Sequence, residues 1–273
     1  MSLTRINANI SAMKSLTALE DVNQKKSTHQ TRIATGKRIN SAEEDPAGYH
    51  LARTLERRKR GLDMALHNVK NAKNILNVAE DGYKNVMGLL QTIKEKATQA
   101  ADYSLSDSQR GAINEQVTAM VSEIDDIVDE TTFNKKNLID GNFSGKFHTG
   151  ERAQDELEIS LSNSDSSALS LDTIDLSTQN GASAAISTTS QAIDELASNI
   201  QDVGEYKSRL SSKENNLTTA STNTEAVRSS VEDADLAKEQ MKLSQLQIRQ
   251  QTALTASTQA NSAPQAVLSL FGG

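Results

Sequence analysis

A seven-residue ladder runs through the first half of the chain. Leu55, Leu62, Val69, Leu76, Tyr83, Leu90 and Ala97 recur at an unbroken spacing of seven. Three residues after most of them, Ala65, Ala72, Ala79, Val86, Ile93 and Ala100 keep the same period. An apolar pair of positions held through this many heptads predicts a helix wrapped on a partner helix. At 1.5 Å per residue the stretch 55–100 would reach about 70 Å, more than the width of a small globular domain. An elongated helical architecture follows.

A second ladder supplies the partner. Leu196, Val203, Leu210, Leu217, Thr224 and Val231 recur every seven residues. Tyr206, Ala220, Val227, Ala234, Met241 and Ile248 follow a companion track on which Lys213 is the polar exception. Read as one stretch, 193–248 matches the first ladder in length, so the chain must go out and come back. The predicted fold is mainly α: an antiparallel bundle of two long helices and a shorter third, with a small β-hairpin at one end and amphipathic terminal helices. The rod core is assigned to Leu55, Leu62, Val69, Leu76, Tyr83, Leu90, Leu196, Val203, Leu210 and Leu217.

Composition agrees with thin helix–helix packing: aromatics are 3%, Trp is absent, and the only prolines are Pro46 and Pro264. The absence of cysteine excludes disulfide and thiolate chemistry. No apolar run approaches the ~18 residues of a membrane span. The start, MSLTRINANISAMKSL, lacks the apolar region and cleavage site of a Sec signal, which taken alone favours a cytoplasmic protein. Charge is uneven. Residues 1–60 hold twelve Lys/Arg against six Asp/Glu, whereas 121–235 hold eight against twenty-two, a complementarity that predicts pairing between neighbouring copies. The run Arg57-Arg58-Lys59-Arg60 has no stacking aromatics interleaved, so it reads as a solvated helix face and not as a nucleic-acid site.

Along the chain, Leu3, Ile6, Ile10, Met13, Leu16, Leu19 and Val22 predict an amphipathic helix over 3–33, closed by a break at Gly36. Asp45-Pro46 opens the first ladder helix as N-cap and first helical residue. Ser106 with Gln109 predicts a capping box for a helix over 110–131, whose seam is Ile113, Val117, Met120, Ile124, Ile127 and Thr131. Phe133–Gly150, with Leu157, Ile159 and Leu161 alternating, predicts a small β-hairpin. The Ser-, Asp- and Thr-rich stretch 162–183 reads as a loop, with helix resuming near Ile186. Beyond 227, Leu236 and Leu243 form one track and Leu246, Ala253 and Ala260 another, so this helix must be covered on more than one side. The N-terminal helix can cover one side; other copies of the chain are expected on the rest.

Catalytic and metal signatures are missing. His29, His50, His67 and His148 are scattered, no P-loop, GxGxxG or GxSxG occurs, and paired acids such as Asp125-Asp126 read as solvated charge. Neither an enzyme nor a cofactor is expected.

Several motifs, in order, carry a resemblance. Ile6-Asn7-Ala8-Asn9, the stretch Arg32 to Gly48 (RIATGKRINSAEEDPAG), Thr132-Phe133-Asn134 with Leu138-Ile139-Asp140-Gly141, and Asn261 with Pro264 to Leu270 together resemble the bacterial flagellins. The resemblance spans nearly the whole chain. It implies a subunit of the extracellular flagellar filament, exported without a cleaved signal peptide by the flagellum's own type III apparatus. In such subunits the paired termini line an inner tube and the long helices form the wall. About fifty residues, 133–183, stand where projecting domains would be, so the chain resembles a minimal flagellin. It further implies a division into a terminal helix with linker (1–44), an outgoing arm (45–132), the β region (133–185), a returning arm (186–235) and a C-terminal helix (236–273). Expected partners are other copies, paralogous flagellins, an export chaperone, and cap and junction proteins, with neither nucleic acid nor membrane. Intersubunit contacts are assigned to Leu3, Ile6, Ile10, Met13, Leu16, Leu243, Leu246, Ala253, Val267, Leu268 and Leu270. The counterpart of the family's innate-receptor patch is Leu90, Gln91 and Glu95, but Thr92 stands where an Arg is usual and Lys96 where a Leu is usual. A hook–filament junction protein is the rival within flagella. A cytoplasmic coiled-coil scaffold is the rival outside them.

Overall fold

The computed structural model describes the backbone of residues 9–271 and the side chains of residues 9–262. Five helices, α1 (Ile10–Thr35), α2 (Pro46–Ala100), α3 (Asp107–Glu130), α4 (Gln179–Glu232) and α5 (Leu236–Phe271), carry most of the chain. Between α3 and α4 lie the strands β1 (Thr132–Phe133), β2 (Lys136–Asn137), β3 (Ser144–His148) and β4 (Glu156–Ser160), followed by a 3-10 turn at Leu171–Thr173. The chain divides into two units. One is residues 58–222; the other joins 1–57 to 223–273.

Unit 58–222 is built on the ladders. Leu62, Val69, Leu76, Tyr83, Leu90 and Ala97 are buried, as are Ala65, Ala72, Ala79, Val86, Ile93 and Ala100. Leu196, Val203, Leu210 and Leu217 join them in one continuous cluster. Ion pairs fix the direction of α4 against α2: Lys73 meets Glu214 at 2.8 Å and Glu80 meets Lys207 at 2.6 Å, while Ser221 donates to Asp63 at 2.7 Å. Residue numbers rise along one helix as they fall along the other, so the pair is antiparallel. Small residues alternating with Leu let the two backbones approach closely.

α3 returns along the same core through Ile113, Val117, Ile124 and Val128, with Met120, Ile127 and Thr131 only half-buried. Its start is the expected capping box, with Ser106 and Gln109 exchanging side-chain bonds to each other's backbone N–H. The buried Arg110 staples the α2–α3 corner. Its guanidinium donates to the carbonyl of Ala100 (2.9 Å) at the end of α2 and to those of Asp102 (2.7 Å) and Leu105 (2.7 Å) in the connection to α3.

The predicted hairpin forms from β3 and β4, paired Ser144↔Ser160 through His148↔Glu156. Leu157, Ile159 and Leu161 point into the core, and Tyr83 donates from its hydroxyl to the Ser162 carbonyl at 2.8 Å. Burial drives the Tyr83 phenol well above its ordinary pKa, so it stays a donor.

The 162–183 stretch departs from expectation. It buries Ser164, Ser166, Leu169, Leu171, Leu176 and Ala182, and α4 begins at Gln179, ahead of Ile186. Thr178 starts that helix, accepting from the Gly181 N–H at 3.1 Å. Asp125, read from sequence as solvated charge, accepts from both the N–H and hydroxyl of Ser166 at 2.8 Å, and Asn114 accepts from Leu176 N–H at 2.8 Å. Bonds from Ser166 and the Leu176 N–H to Asp125 and Asn114 hold this polar stretch onto α3, so part of it is buried.

Unit 1–57/223–273 has little core: Ile39, Ala52, Leu243 and Leu246 are its buried apolar residues among those described. The second ladder does not continue as one helix. α4 ends at Glu232 and α5 begins at Leu236, which leaves Met241 and Ile248 exposed; Val227, within α4, is exposed too. Leu55, assigned to the rod core, lies in this unit and is half-buried.

The seam predicts a mutational response. Leu76→Ala should lower the unfolding free energy of the isolated chain by about 2–5 kcal/mol, the usual range for a fully buried leucine. Denaturant midpoints by circular dichroism check this. A loss near zero would mean the ladder face is not what holds the helices together.

Candidate assembly surface

The termini build a two-helix pair, α1 against α5. On α1 the half-buried positions Ala12, Ser15, Leu19, Val22, Lys26, His29 and Ile33 form a heptad seam of their own. It faces Glu239, Leu243, Leu246, Gln250, Ala253, Ser257 and Ala260 on α5. The polar ends of the seam are specific. Asn9 caps α1 by accepting from Ala12 N–H at 3.0 Å and donates to the Ala260 carbonyl at 2.7 Å. Gln250 receives Lys26 at 3.1 Å and donates to Asn23 at 2.8 Å. Nearer the junction, His29 meets the Glu239 carboxylate, and Arg32 lies 3.9 Å from the same group and 3.6 Å from Glu44.

The pair is shallow. No residue of α1 is buried. Ile10 and Leu16 are exposed, and Met13, Met241 and Ile248 are 66%, 61% and 69% exposed. Leu236 and Leu254 are exposed as well. Thus α1 and α5 satisfy each other on one narrow stripe and show apolar residues on other faces.

The sequence-assigned contact residues separate accordingly. Ile10, Met13 and Leu16 are on the open surface. Leu243 and Leu246 are buried in the α1–α5 seam, so they belong to the fold of one chain, and Ala253 is half-buried in that seam. Leu3 and Ile6 lie outside the described residues, as do the side chains of Val267, Leu268 and Leu270. In the receptor-patch counterpart, Leu90 is fully buried on the α2 ladder, while Gln91 and Glu95 are exposed one turn apart. The three do not form one surface.

At the foot of the pair sits a charged latch that sequence reading missed. Gly36 ends α1 in the left-handed conformation (φ 70°), and its carbonyl accepts from Ala234 N–H at 2.9 Å; Arg38 N–H donates to the Glu232 carbonyl at 2.7 Å. Glu232, 1% exposed, takes Lys37 at 2.7 Å, Arg53 at 2.9 Å and Arg228 at 2.5 Å. Ile39 packs beneath, close enough that a side chain at Gly48 would meet its Cδ1 at 2.7 Å. Lys37 and Arg53 come from the basic N-terminal region and Glu232 from the acidic region. Part of the charge complementarity expected between neighbours is therefore met inside one chain.

A model of the bacterial flagellin N-terminal helical region matches residues 6–144, and one of the bacterial flagellin C-terminal helical region matches 186–271. The chain belongs to the bacterial flagellins. The flagellin of Listeria monocytogenes is 31% identical over 98% of this chain and 99% of its own length. Flagellin FlaB2 of Treponema pallidum is 30% identical over 97% and 99%, and the Bacillus subtilis flagellin 27% over 98% and 99%. Among solved structures, a candidate flagellar hook-associated protein from Vibrio parahaemolyticus superposes with a TM-score of 0.60 at 13% identity, covering 70% of this chain and all of that one. That likeness is one of fold alone. A flagellin is a structural protein, the subunit from which the flagellar filament is polymerised. Only residues 145–185 separate the two matched regions here, and they fold into most of β3, β4, the loops around them and the start of α4, the small-sized form of the family.

The latch predicts a pH response. Burial pushes the Glu232 carboxyl up, but hydrogen bonds from Lys37 and Arg228 and the charge of Arg53 outweigh it and hold it below its ordinary 4.5. A group with a depressed folded pKa contributes stability present above its unfolded pKa and lost as pH falls through the folded one. Protection factors of the Arg38 and Ala234 amides should therefore fall on acidification below pH 4.5. In Glu232→Gln the response should flatten; an unchanged acid response there would show that another group governs the junction.

Proposed function

We propose that this flagellin polymerises through the α1–α5 pair, and that unit 58–222 is the self-sufficient wall segment which carries that pair into the filament. The observation that carries the reading is the absence of any buried residue on the 26-residue helix α1, beside exposed Ile10, Met13 and Leu16 and exposed Met241 and Ile248 on its partner. Burial of apolar area is the main term favouring association, so faces left open by the chain's own fold are completed by other copies. Contacts between different faces that do not close on themselves give an open helical array. Ile10, Met13 and Leu16 are the described residues with this role. Leu3, Ile6, Val267, Leu268 and Leu270, outside the described side chains, are given the same role from the sequence.

Membership of the family supports a reading of location and partners. The chain works outside the cell, in the flagellar filament, delivered by the flagellum's own type III apparatus. Other copies and paralogous flagellins are its neighbours; an export chaperone and the cap and junction proteins meet the same open termini. Among the described residues no helix is long and apolar enough to cross a membrane. An innate-receptor contact through the α2 patch would rest on Gln91 and Glu95 alone. The junction-protein reading is weaker, because flagellins match over nearly the whole chain at 27–31% identity whereas the hook-associated likeness is of fold only.

Removing residues 1–35 or 240–273 should leave a helical, soluble chain that forms no filaments by electron microscopy. Filaments of ordinary appearance from either truncation would contradict the role given to the termini.

A further inference from the structure

Two features of unit 58–222 remain unused by the terminal pair. The first is Tyr103, 87% exposed at the α2–α3 corner. It is not on a loose loop. The Arg110 guanidinium bonds the carbonyls on both sides of it, those of Asp102 and Leu105. Asp102 in turn accepts from Ser104 N–H at 2.9 Å, and this bond holds its carboxyl below the usual range. A corner held by hydrogen bonds thus presents a large amphipathic ring to solvent between two exposed acids, Asp102 and Asp107, the second 3.3 Å from Arg110.

The second is a groove of about 680 Å³ between the β1–β2 turn and β3. Three of the chain's four phenylalanines, Phe133, Phe143 and Phe147, line it over the nearly buried Ile75. Phe143 and Phe147 share one face of the extended chain and close over Gly145, whose missing side chain would sit 3.1 Å from the Phe147 ring. Phe133 is 40% exposed at the rim. The Asn134-Lys135 turn behind it has positive φ at both residues (52° and 64°), the two-residue hairpin geometry that fixes the ring's position. The charges lining this groove are Lys136 and Lys146, against one acid, Asp140, whose carboxylate is taken up by Asn142.

We propose that Tyr103 of one copy docks in the Phe133–Phe143–Phe147 groove of the next, as a second intersubunit contact made by the wall unit itself. Three observations select a second copy as the occupant. Knob and groove are chemically matched, ring against rings, and acids flank one where lysines flank the other; offset and edge-to-face aromatic contacts favour this arrangement. They cannot meet within one chain, since the 25 helical residues from Ile75 to Ala100 set them about 37 Å apart. They are also different surfaces of one chain, so each copy offers a knob to one neighbour and a groove to another, the heterologous arrangement that propagates a filament. The inference rests on the filament-subunit reading and adds a residue-level contact to it.

The absence of cysteine makes the test clean. Ser104→Cys and Ser144→Cys are two conservative single variants, one beside the knob and one lining the groove. Mixed, polymerised and oxidised, they should give disulfide-linked dimers containing one chain of each kind. The same mixture held monomeric should give none. In parallel, Tyr103→Ala should raise the critical concentration for polymerisation about tenfold, the effect of losing one anchor residue. Tyr103→Phe, which keeps the ring, should restore it. Filaments that form without the mixed disulfide, or a Tyr103→Ala chain that polymerises at the unaltered concentration with its circular dichroism intact, would overturn the contact. Failure of the unaltered chain to polymerise at all would overturn the filament-subunit reading beneath it.

Discussion

The antiparallel apolar seam between α2 and α4 is the interaction on which the structure depends. Its buried positions run from Leu62 to Ala100 on one helix and from Ala182 to Leu217 on the other. Its alanines bring the backbones close and its leucines fill the space between, so a chain with 3% aromatic residues still gains a continuous core. α3, the hairpin and the polar loop all attach to this seam: through Arg110 at one corner, Tyr83 at the hairpin, and Asp125 and Asn114 along the loop. None of these attachments calls for a partner chain, which is why this unit stands by itself.

The terminal unit is built on the opposite balance. Its apolar burial is slight, and its specificity comes from charges: three cations on the buried Glu232, and His29 with Arg32 on the buried Glu239. A buried ion cluster contributes little net stability once desolvation is counted, but removing one partner is costly, so it fixes one arrangement of the junction. The result is a helix pair held in register yet short of buried surface. For a polymerising subunit that is a useful condition. The chain specifies which faces meet at home, and it leaves Ile10, Met13, Met241 and Ile248 exposed.

The sequence made some of this legible and hid the rest for physical reasons. The heptad ladders, the Asp45-Pro46 start, the Ser106/Gln109 box and the β3–β4 alternation each rest on local spacing, and local spacing survives into the fold. What it concealed was long-range or counter-compositional. The ladder through 231, 241 and 248 looks unbroken, yet the chain turns at Asp233-Ala234-Asp235, where Gly36 and Arg38 take its backbone bonds. Once the helix is reset there, Met241 and Ile248 fall outside the seam, and Leu243 and Leu246 fall inside it. The 162–183 loop buries leucines among serines and aspartates, because Ser166 and the Leu176 N–H bond Asp125 and Asn114 of α3. Nothing local marks Glu232 as buried; only the convergence of Lys37, Arg53 and Arg228 from distant positions does. Leu90, placed on the ladder by its spacing, is buried in the α2 seam, while Gln91 and Glu95 beside it are exposed.

The central claim is that the wall unit folds on its own core while α1 and α5 await other copies. Amide exchange by mass spectrometry on the isolated chain and on filaments tests it most directly. In the isolated chain, residues 62–100 and 182–217 should exchange slowly, and α1 (Ile10–Thr35) and the facing part of α5 quickly. Assembly should slow the terminal helices by orders of magnitude and change the wall seam little. Protection of α1 equal to that of the seam before assembly would contradict the account.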